Sequence, residues 1–367
     1  MKGNITDGAS PEDLLLSGPP ASVRPLYDIL YNSSRGYKIF CVIRSATKLG
    51  LFDELVSPKM VAEICESLGT DAAITKAVCD LLVDIGILDR SDGFYWNTDT
   101  ANFYLRADSP LNQIHTLQNL EGGFRLWDRL EDIIKDGPIR VDEEEIFENN
   151  LVFSLASEAL CGELQRTVSI ISEIPEFRKA RRLLDLGGGH GLYAIAATAM
   201  NPDLRAVVYD LPEVVEQAKI YIKQFNASRV ETVSGNFFED DMGSGYDVVQ
   251  LFYNPAGKNP WMIPKIHSCL TDDGIFISKH AFYNRKDRSK SSLMDLEWNL
   301  TSFRGMTKGE KIYSFEGDLF FEDYLKLLGE YFTILKIIES QQFAGYPLSK
   351  FGDALDSKII VAKKKQL

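Results

Sequence analysis

The chain has 367 residues, of which 45% are hydrophobic and 25% are charged, and these fractions exclude a disordered or fibrous protein. A length of this order suits two packed domains better than one. Lys and Arg total 40 against 53 Asp and Glu, a net charge of -13, which repels polyanions. We therefore expect neither nucleic acid nor an anionic membrane surface as a partner.

Cysteine usage and hydropathy bear on the compartment. The five cysteines lie at irregular spacing without a CxxC pair, a pattern that predicts neither a disulfide framework nor a zinc site. The N-terminus lacks an apolar signal segment, and no apolar run approaches about 18 residues. We expect a cytoplasmic protein with reduced thiols, no metal and no membrane anchor. The cysteines are Cys41, Cys65, Cys79, Cys161 and Cys269.

The N-terminal part begins with residues 1–22, which are rich in Gly, Ser and Pro and predict a flexible arm. From Tyr37 onward, apolar residues recur at helical spacing, and two further helices are predicted over 60–68 and 71–85. Each of these helices is followed by a glycine that can adopt the left-handed conformation of a helix C-terminus. The predicted stops are Gly50, Gly69 and Gly86.

A hairpin follows these helices, with strands over 88–90 and 94–97 around the turn Ser91-Asp92-Gly93. Helix, turn, helix and hairpin together are typical of a winged helix, which can bind DNA or serve for packing and dimerisation. Residues 37–106 carry seven Lys and Arg against ten Asp and Glu, a net charge of -3. This sign favours packing or dimerisation over DNA binding.

The rest of the chain changes from helical to alternating patterns. Residues 111–177 predict helices interrupted at Gly137-Pro138 and at the acidic run 142–145, which we interpret as a solvated helix start. After Arg181, apolar strands alternate with helical stretches, which is typical of a parallel sheet with helices on both faces. The predicted strands are 183–186, 206–209, 230–233, 248–252 and 275–279.

The strongest motif joins the first of these strands to a helix: residues 183–191 read LLDLGGGHG. Glycines let the backbone approach a ligand, and the helix start offers free N–H groups. A dinucleotide fingerprint would place its last glycine at position 192, which is Leu192, so NAD is the weaker interpretation. A small polar or charged ligand is expected here.

Polar residues end three consecutive strands. Asp185 lies two residues before the glycines, where it can accept from an ammonium group. Asp210 follows the second strand, where a carboxylate can accept from both hydroxyls of a ribose. Asn236 and Phe237 follow the third strand and offer an amide and an aromatic face to a purine. The three strand ends together suit an amino acid, a ribose and an adenine.

These motifs identify a family resemblance. The sheet half resembles class I S-adenosylmethionine-dependent methyltransferases, and residues 30–365 resemble the two-domain small-molecule O-methyltransferases, which include caffeate and acetylserotonin enzymes. The N-terminal segments ATKLGLFD (46–53) and LVDIGIL (82–88) are similar to the dimerisation domain of that family. The resemblance implies an α/β fold with a Rossmann-like doubly wound sheet, an all-helical winged-helix dimerisation domain, and a homodimer.

The resemblance also implies a division of the chain and a cofactor site for S-adenosyl-L-methionine. The implied parts are an arm (1–22), a winged-helix dimerisation domain (23–107), linker helices (108–178) and the cofactor-binding domain (179–367). The implied cofactor residues are Asp185, Gly187, Gly189, Gly191, Asp210, Leu211, Asn236 and Phe237. The family usually has Asp at the position of Asn236, and an amide keeps an acceptor oxygen there while losing the charge.

The family's catalytic histidine is missing. It follows the fourth strand in a His-Asp-Trp motif, whereas residues 250–259 here read QLFYNPAGKN. Tyr253 is a poor base because an unperturbed tyrosine has a pKa of about 10. We place the four histidines of the chain elsewhere, with His280 beyond the fifth strand. The catalytic residue is therefore left unassigned, and we expect an acceptor that needs little deprotonation: a nitrogen, carbon, sulfur or acidic oxygen nucleophile.

The residues that face the small-molecule acceptor are predicted more loosely. The segment SSLMDLEWN (291–299) resembles the family helix that clamps the acceptor ring, although a helix that only packs on the sheet has the same pattern. Glu297 on this segment is a candidate for a distant base. The predicted substrate residues are Phe153, Ser157, Tyr253, Asn254, Met294, Trp298 and Asn299.

Two alternatives remain open at this point. The missing histidine is compatible with a cofactor-bound hydroxylase, decarboxylase or cyclase that uses the sulfonium only as a fixed charge. The second alternative is a winged-helix regulator that senses a nucleoside ligand. The net negative charge of residues 37–106 disfavours this alternative, because it opposes DNA binding.

Overall fold

A computed structural model describes residues 15–16, 21–141, 151–288, 291–304, 307–343 and 357–366. The chain divides into two compact units, Met1–Ser109 and Pro110–Leu367. Most of the predicted arm and all of the acidic run 142–145 lie outside the described residues, and the predicted four-part division stays a prediction.

The first unit combines helices with a small sheet. Its helices are α1 (Arg24–Lys48), α2 (Leu51–Glu54), α3 (Val61–Leu68), α4 (Ala72–Asp84) and α5 (Asp99–Tyr104), and its strands are β1 (Lys59–Met60), β2 (Leu88–Ser91) and β3 (Phe94–Asn97). The strands form an antiparallel sheet in the order β1-β3-β2. The N-terminal domain is therefore not all-helical, contrary to what the resemblance implied. The predicted hairpin forms, and the strand Lys59–Met60 pairs with it.

The predicted helix stops are confirmed. Gly50, Gly69 and Gly86 all have positive φ angles, 76°, 64° and 75°, which glycine adopts without steric cost. The hairpin turn is confirmed too, with Asp92 at φ 50° and Gly93 at φ 84°, as a turn with two left-handed residues requires.

The first helix begins earlier than its apolar periodicity predicted. It starts at Arg24 instead of near Tyr37. Leu26, Ile29 and Leu30 in its first turns are exposed within the chain, and the sequence analysis missed their helical spacing of i, i+3 and i+4.

The second unit is a mixed sheet with helices on both faces. Its helices are α6 (Ile114–Trp127), α7 (Leu130–Asp136), α8 (Val152–Ala159), α9 (Glu163–Ser172), α10 (Pro175–Lys179), α11 (Leu192–Met200), α12 (Pro212–Gln224), α13 (Met262–Cys269), α14 (Ser292–Asn299) and α15 (Phe321–Tyr331). Its strands are β4 (Ile139–Val141), β5 (Arg182–Leu186), β6 (Arg205–Asp210), β7 (Val230–Ser234), β8 (Tyr246–Phe252), β9 (Leu270–Ala281), β10 (Thr301–Phe303), β11 (Phe332–Glu339) and β12 (Ser357–Lys364).

The main sheet has the strand order β11-β12-β9-β8-β5-β6-β7. The strands from β9 to β7 in this order are parallel, and β12 runs antiparallel to β9 and β11. The order reverses next to β5, and ligands of such sheets bind at the carboxyl ends beside this switch point. The register pairs at these ends are Leu186 with Tyr209, Asp210 with Ser234, and Phe252 with Lys279.

Each face of this sheet carries its own hydrophobic core. Leu183 and Ile277 pack into one core together with α9, α11 and α12. Leu184 and Phe276 pack into the other together with α13 and α15. Alternation of neighbouring residues between the faces is the two-residue period of a strand. Within the described residues, no helix combines the length and the hydropathy needed to cross a bilayer.

Candidate active site

The glycine turn links β5 to α11. Gly187, Gly189 and Gly191 have φ angles of 61°, 56° and 71°, which explains why glycine occupies all three positions. The N–H of Gly191 donates to the Gly188 carbonyl at 2.9 Å. A Cβ at Gly189 would meet no atom within 4 Å, so the backbone of this residue borders open space that a ligand can occupy.

Asp210 joins the glycine turn to the end of β6. Its Oδ2 accepts from the Gly189 N–H and its Oδ1 accepts from the Leu211 N–H, each at 2.8 Å. Burial raises the pKa of Asp210 to about 6, although both N–H donors act to lower it. Each carboxylate oxygen keeps a second lone pair, so Asp210 can still accept from the hydroxyls of a ribose.

Asp185 lies beneath the turn. It is 2% exposed, and a Cβ at Gly188 would come within 2.7 Å of its Cγ. Among the described residues, no hydrogen-bond donor reaches its Oδ2. Burial raises the pKa of Asp185 to about 7, and the nearby charge of Asp210 adds to the rise. A buried acceptor without a partner fits a ligand that brings an ammonium group.

The end of β7 carries Asn236 and Phe237 into an aromatic surface. The side-chain oxygen of Asn236 accepts from the Phe238 N–H at 3.0 Å, and the ring centroids of Phe237 and Phe238 lie 4.8 Å apart. The ring of Trp261 lies 4.8 Å from Phe238. Phe238 and Trp261 are 43% and 38% exposed, so their faces are open to a purine. Sequence reasoning missed Trp261, which follows a different strand.

Tyr253 directly follows β8, in the segment where the family's histidine is expected, and has an unusual backbone. Its φ is 49°, a conformation that costs energy for a bulky residue and that is concentrated at functional sites. Its N–H donates to the Lys279 carbonyl at 2.8 Å, and its hydroxyl donates to Glu163 at 3.3 Å. Burial and the charge of Glu163 raise the pKa of Tyr253 well above its ordinary value. Tyr253 is therefore unsuited to be a general base.

Glu163 and Lys279 form a buried ion pair behind Tyr253. Lys279 Nζ lies 2.5 Å from Glu163 Oε1, and the side chain of Lys279 is fully buried. Nζ also donates to Thr167 Oγ1 at 2.9 Å and to the Tyr193 hydroxyl at 3.1 Å. Burial lowers the pKa of Lys279, and Glu163 opposes this shift. Sequence reasoning missed this pair, although a lysine inside the apolar run IFISK (275–279) was a usable signal.

Asn254 follows Tyr253 and reaches the glycine turn. Its Oδ1 accepts from the Ala256 N–H at 3.0 Å. Its Nδ2 lies 2.2 Å from the position that a Cβ at Gly187 would occupy. Gly187 is therefore required both by its φ angle and by the amide that lies over it. The structure thus brings one predicted substrate residue next to a predicted cofactor residue.

The short 3₁₀ turn after Asn254, Pro255–Lys258, is anchored from its far end. Lys258 Nζ pairs with Asp318 at 3.2 Å, and both side chains are nearly buried. Nζ also donates to the Tyr313 carbonyl at 2.7 Å, and the Leu319 N–H donates to the Lys258 carbonyl at 3.1 Å. These bonds hold the loop that carries Asn254 against the segment 313–319.

None of the four histidines occupies the end of β8, and one of them lies in a different element than predicted. His280 belongs to β9 instead of following it, because this strand continues to Ala281 in its pairing with β12. It is 2% exposed, and Gly257 covers its ring. Burial lowers the pKa of His280 to about 3. The other three lie in the glycine turn (His190), on α13 (His267) and on α6 (His115).

The predicted acceptor residues fall into two groups. Met294 and Trp298 on α14 contact a small core that includes Tyr283 and Ile312, and the Trp298 ring lies 5.1 Å from that of Tyr313. Asn299, in contrast, is exposed and donates to the Asp295 carbonyl of its own helix at 2.7 Å. Its predicted contact with an acceptor receives no support from these bonds.

Phe153 and Ser157 lie on α8, and their contacts run to other helices of the same unit. The Phe153 ring stacks on His115 at 4.9 Å and lies 6.0 Å from Tyr221. The Ser157 carbonyl accepts from Gln113 Nε2 at 3.0 Å. These contacts explain how the two residues are held, while their substrate-facing role stays a prediction. Glu297 is exposed on α14. Within the described part of the chain, no cluster of three or more His, Cys, Asp or Glu could hold a metal.

Comparisons with known proteins match both units. Residues 153–253 match the family model of the O-methyltransferase domain, and residues 31–107 match that of the O-methyltransferase dimerisation domain. MJ0086 of Methanocaldococcus jannaschii, an uncharacterised protein, is 34% identical over 96% of this chain and 100% of its own length. Human acetylserotonin O-methyltransferase is 26% identical over 68% of this chain and 79% of its own.

A solved structure supports the fold over nearly the whole chain. An O-methyltransferase family protein from Burkholderia thailandensis has a TM-score of 0.69 at 18% identity, over 95% of this chain and 99% of its own. The glycine turn, the acids that hold and underlie it, and the matches to both domain models agree with one another. The chain therefore belongs to the family of S-adenosyl-L-methionine-dependent O-methyltransferases that carry a dimerisation domain.

Proposed function

We propose that this methyltransferase acts on a small, aromatic or heterocyclic acceptor, at a nitrogen, carbon, sulfur or acidic oxygen, and that it does so without a histidine base. The observation that carries the proposal is the segment after β8, residues 253–259, which contains no histidine and in which the hydroxyl of Tyr253 is bonded to the buried Glu163. A substrate that already carries a nucleophilic lone pair needs only to be held in line with the methyl group.

The cofactor site fits S-adenosyl-L-methionine, which supplies an electrophilic methyl group when bound. Asp185 offers its unpartnered Oδ2 to the ammonium group, and the open backbone at Gly189 borders the amino acid part. Asp210 accepts from the ribose hydroxyls next to Leu211, and Asn236 and Phe237 contact the adenine. Gly187 and Gly191, with their positive φ angles, keep the glycine turn in the shape that the contact with the amino acid part of the cofactor requires.

We propose that the protein works as a homodimer through its first unit. Support comes from the match to a dimerisation domain and from the large apolar side chains that α1 leaves exposed within one chain, among them Leu26, Ile29, Leu30 and Tyr31. Exposed apolar residues clustered on one helix are typical of a protein interface. The winged-helix assignment and the cytoplasmic location remain predictions.

The experiment is incubation of the purified protein with methyl-labelled S-adenosyl-L-methionine and a panel of small phenols, thiols, amines and enolisable rings. Labelled product with at least one acceptor is expected. Tight cofactor binding with no transfer to any member would contradict the proposal. The comparisons give no support to a non-methylating enzyme or to a DNA-binding regulator.

A further inference from the structure

We infer that Asn254 determines which class of nucleophile the enzyme methylates, because its side-chain amide turns its hydrogen-bond donors toward the glycine turn at the end of β8. The inference rests on the proposed methyl transfer. It narrows the acceptor atom to an oxygen anion or a thiolate and excludes amines.

The orientation of the Asn254 amide is fixed by its oxygen. Oδ1 accepts from the Ala256 N–H at 3.0 Å, so a flip of the amide would place two donors against each other and lose this bond. Nδ2 consequently lies over Gly187. Within the described residues, no group accepts a hydrogen bond from Nδ2, and the side chain is partly exposed. Two N–H hydrogens are therefore available to a ligand at this point.

The backbone on both sides of Asn254 is held as firmly as its side chain. The residue before it, Tyr253, is fixed in a left-handed conformation by its bond to the Lys279 carbonyl. The Asn254 carbonyl accepts from the Gly257 N–H at 2.9 Å, and Lys258 is anchored to Asp318. A donor on such a rigid loop can discriminate between ligands, since little reorganisation is available to relieve a mismatch.

The discrimination follows from counting lone pairs. In methyl transfer, one lone pair of the nucleophile forms the bond to the methyl carbon, while the electron pair of the carbon–sulfur bond leaves with the sulfur. A phenolate, enolate or thiolate keeps further lone pairs, one of which can accept from Asn254 Nδ2. A neutral amine has one lone pair, which is used in the attack, so it presents only N–H donors to Asn254. When the N–H of an amine faces the N–H of Asn254, neither group has an acceptor. The unpaired polar groups disfavour the amine as a substrate.

The test compares phenol, thiophenol and aniline acceptors built on the same ring, with S-adenosyl-L-methionine as methyl donor and kcat/KM as the readout. The variant Asn254→Asp keeps an oxygen for the Ala256 N–H and replaces the donor over Gly187 by an acceptor. We expect its ratio of phenol to aniline methylation to fall by roughly tenfold to hundredfold, as the loss of one charge-assisted hydrogen bond implies. Asn254→Ala should lower the phenol rate with a smaller change of ratio.

Asn259→Asp is a matched control. Asn259 ends the same loop, and its Oδ1 caps the Trp261 N–H two residues ahead, as Asn254 caps Ala256. The control therefore introduces the same charge with the same backbone bond, away from Gly187, and it should leave the phenol to aniline ratio unchanged.

A second readout does not depend on turnover. A nitrophenol absorbs visible light as its phenolate, so the absorbance of the enzyme-bound dye against pH gives its pKa in the site. With S-adenosylhomocysteine present, the wild type should lower this pKa, and Asn254→Asp should raise it. An unchanged dye pKa in the variant, an unchanged phenol to aniline ratio, or preferential methylation of aniline by the wild type overturns the inference.

Two further outcomes separate this inference from the proposed function. In the first outcome, the wild type methylates phenols, and the Asn254 variants lose only their affinity for S-adenosylhomocysteine. The proposed function then stands, Asn254 is assigned to the cofactor, and the inference is overturned. In the second outcome, the wild type neither binds nor methylates any ring acceptor, and this result overturns both the inference and the proposed function.

Discussion

Lys279 pairs with Glu163 at 2.5 Å in the interior of the sheet domain, 116 residues away in sequence, and this pair supports Tyr253. Removing one member of a buried pair leaves the other charge uncompensated. We expect Lys279→Met to lower the free energy of unfolding by about 3–5 kcal/mol, measured by urea denaturation of the full chain at neutral pH.

The double variant Glu163→Gln with Lys279→Met should recover most of that loss, because no buried charge remains. A matched control is Lys363→Met, whose partner Asp273 is almost fully exposed, and which should change the stability by about 1 kcal/mol or less. A Lys279→Met variant that loses no more stability than this control would contradict a charged Glu163–Lys279 pair in the fold.

Cofactor affinity should depend on pH through Asp185. The pKa of this carboxyl is raised to about 7, and its ionised form binds an ammonium group more strongly than its protonated form does. Affinity for S-adenosylhomocysteine should therefore rise as the pH increases from about 5 to about 7, by up to about tenfold per pH unit. Asp185→Asn should bind more weakly at pH 7 and lose the part of this dependence that Asp185 contributes, while Asp210, whose pKa is raised to about 6, keeps its own part. Calorimetric titrations over this range would reveal a parallel pH dependence in both proteins if the assignment is wrong.

Without ligand, the raised pKa of Asp185 should make the free energy of unfolding fall as the pH increases, which is opposite to the trend of the cofactor affinity. Its pKa in the fold lies above the unfolded value, so the protonated form is favoured on folding and contributes stability that is complete below about pH 4. This contribution is lost as the pH rises through about 7. Between these limits the stability of the wild type relative to Asp185→Asn should fall by up to about 4 kcal/mol, as denaturant midpoints measured at each pH will show.

Gly187→Ala should disturb the site more than Gly189→Ala. Both residues have left-handed φ angles, so each alanine costs about 1–2 kcal/mol of backbone strain. At Gly187 the new methyl group would also lie 2.2 Å from Asn254 Nδ2, whereas at Gly189 it would meet nothing within 4 Å. The displaced amide should reduce kcat/KM by about 10²-fold.

Adding Asn254→Ala to Gly187→Ala removes the clash, so the two substitutions should be strongly non-additive in thermal stability. Equal destabilisation by the two single alanine variants would refute the close contact between Gly187 and Asn254.

Tyr253→Phe tests whether the residue that directly follows β8 takes part in proton transfer. Its hydroxyl makes a 3.3 Å bond to Glu163, and its loss should cost about 0.5–1.5 kcal/mol of stability. The rate should stay within about tenfold of the wild type, with the same dependence on pH, since no proton passes through this group. A drop in kcat of a thousandfold, or a new inflection in the pH profile, would contradict this.

Features that depend on local sequence were predictable. Gly50, Gly69 and Gly86 end helices because a left-handed residue is needed there, and the motif at 183–191 predicts the turn whatever the rest of the chain does. The strands that surround the turn also follow from apolar runs of the expected length. These signals depend on a few neighbouring residues, so one sequence contains all the information they need.

Features that depend on distant contacts were not predictable. The partner of Lys279 lies on a helix 116 positions earlier, and nothing in the pattern around Glu163 distinguishes it from a solvent-exposed residue of a helix start. The extension of β9 to include His280 depends on β12, which pairs with it from the C-terminal end of the chain. The direction of the Asn254 amide is set by a backbone N–H of a 3₁₀ turn that no hydropathy pattern reveals.

The buried ammonium of Lys279 lies 5.1 Å from the centre of the Tyr253 ring. A side chain introduced at position 253 would face this ammonium together with the Glu163 carboxylate, because Glu163 contacts the Tyr253 hydroxyl and pairs with Lys279. Any base engineered at position 253 therefore has to be tuned against both members of the ion pair, since the ammonium disfavours its protonated form and the carboxylate favours it.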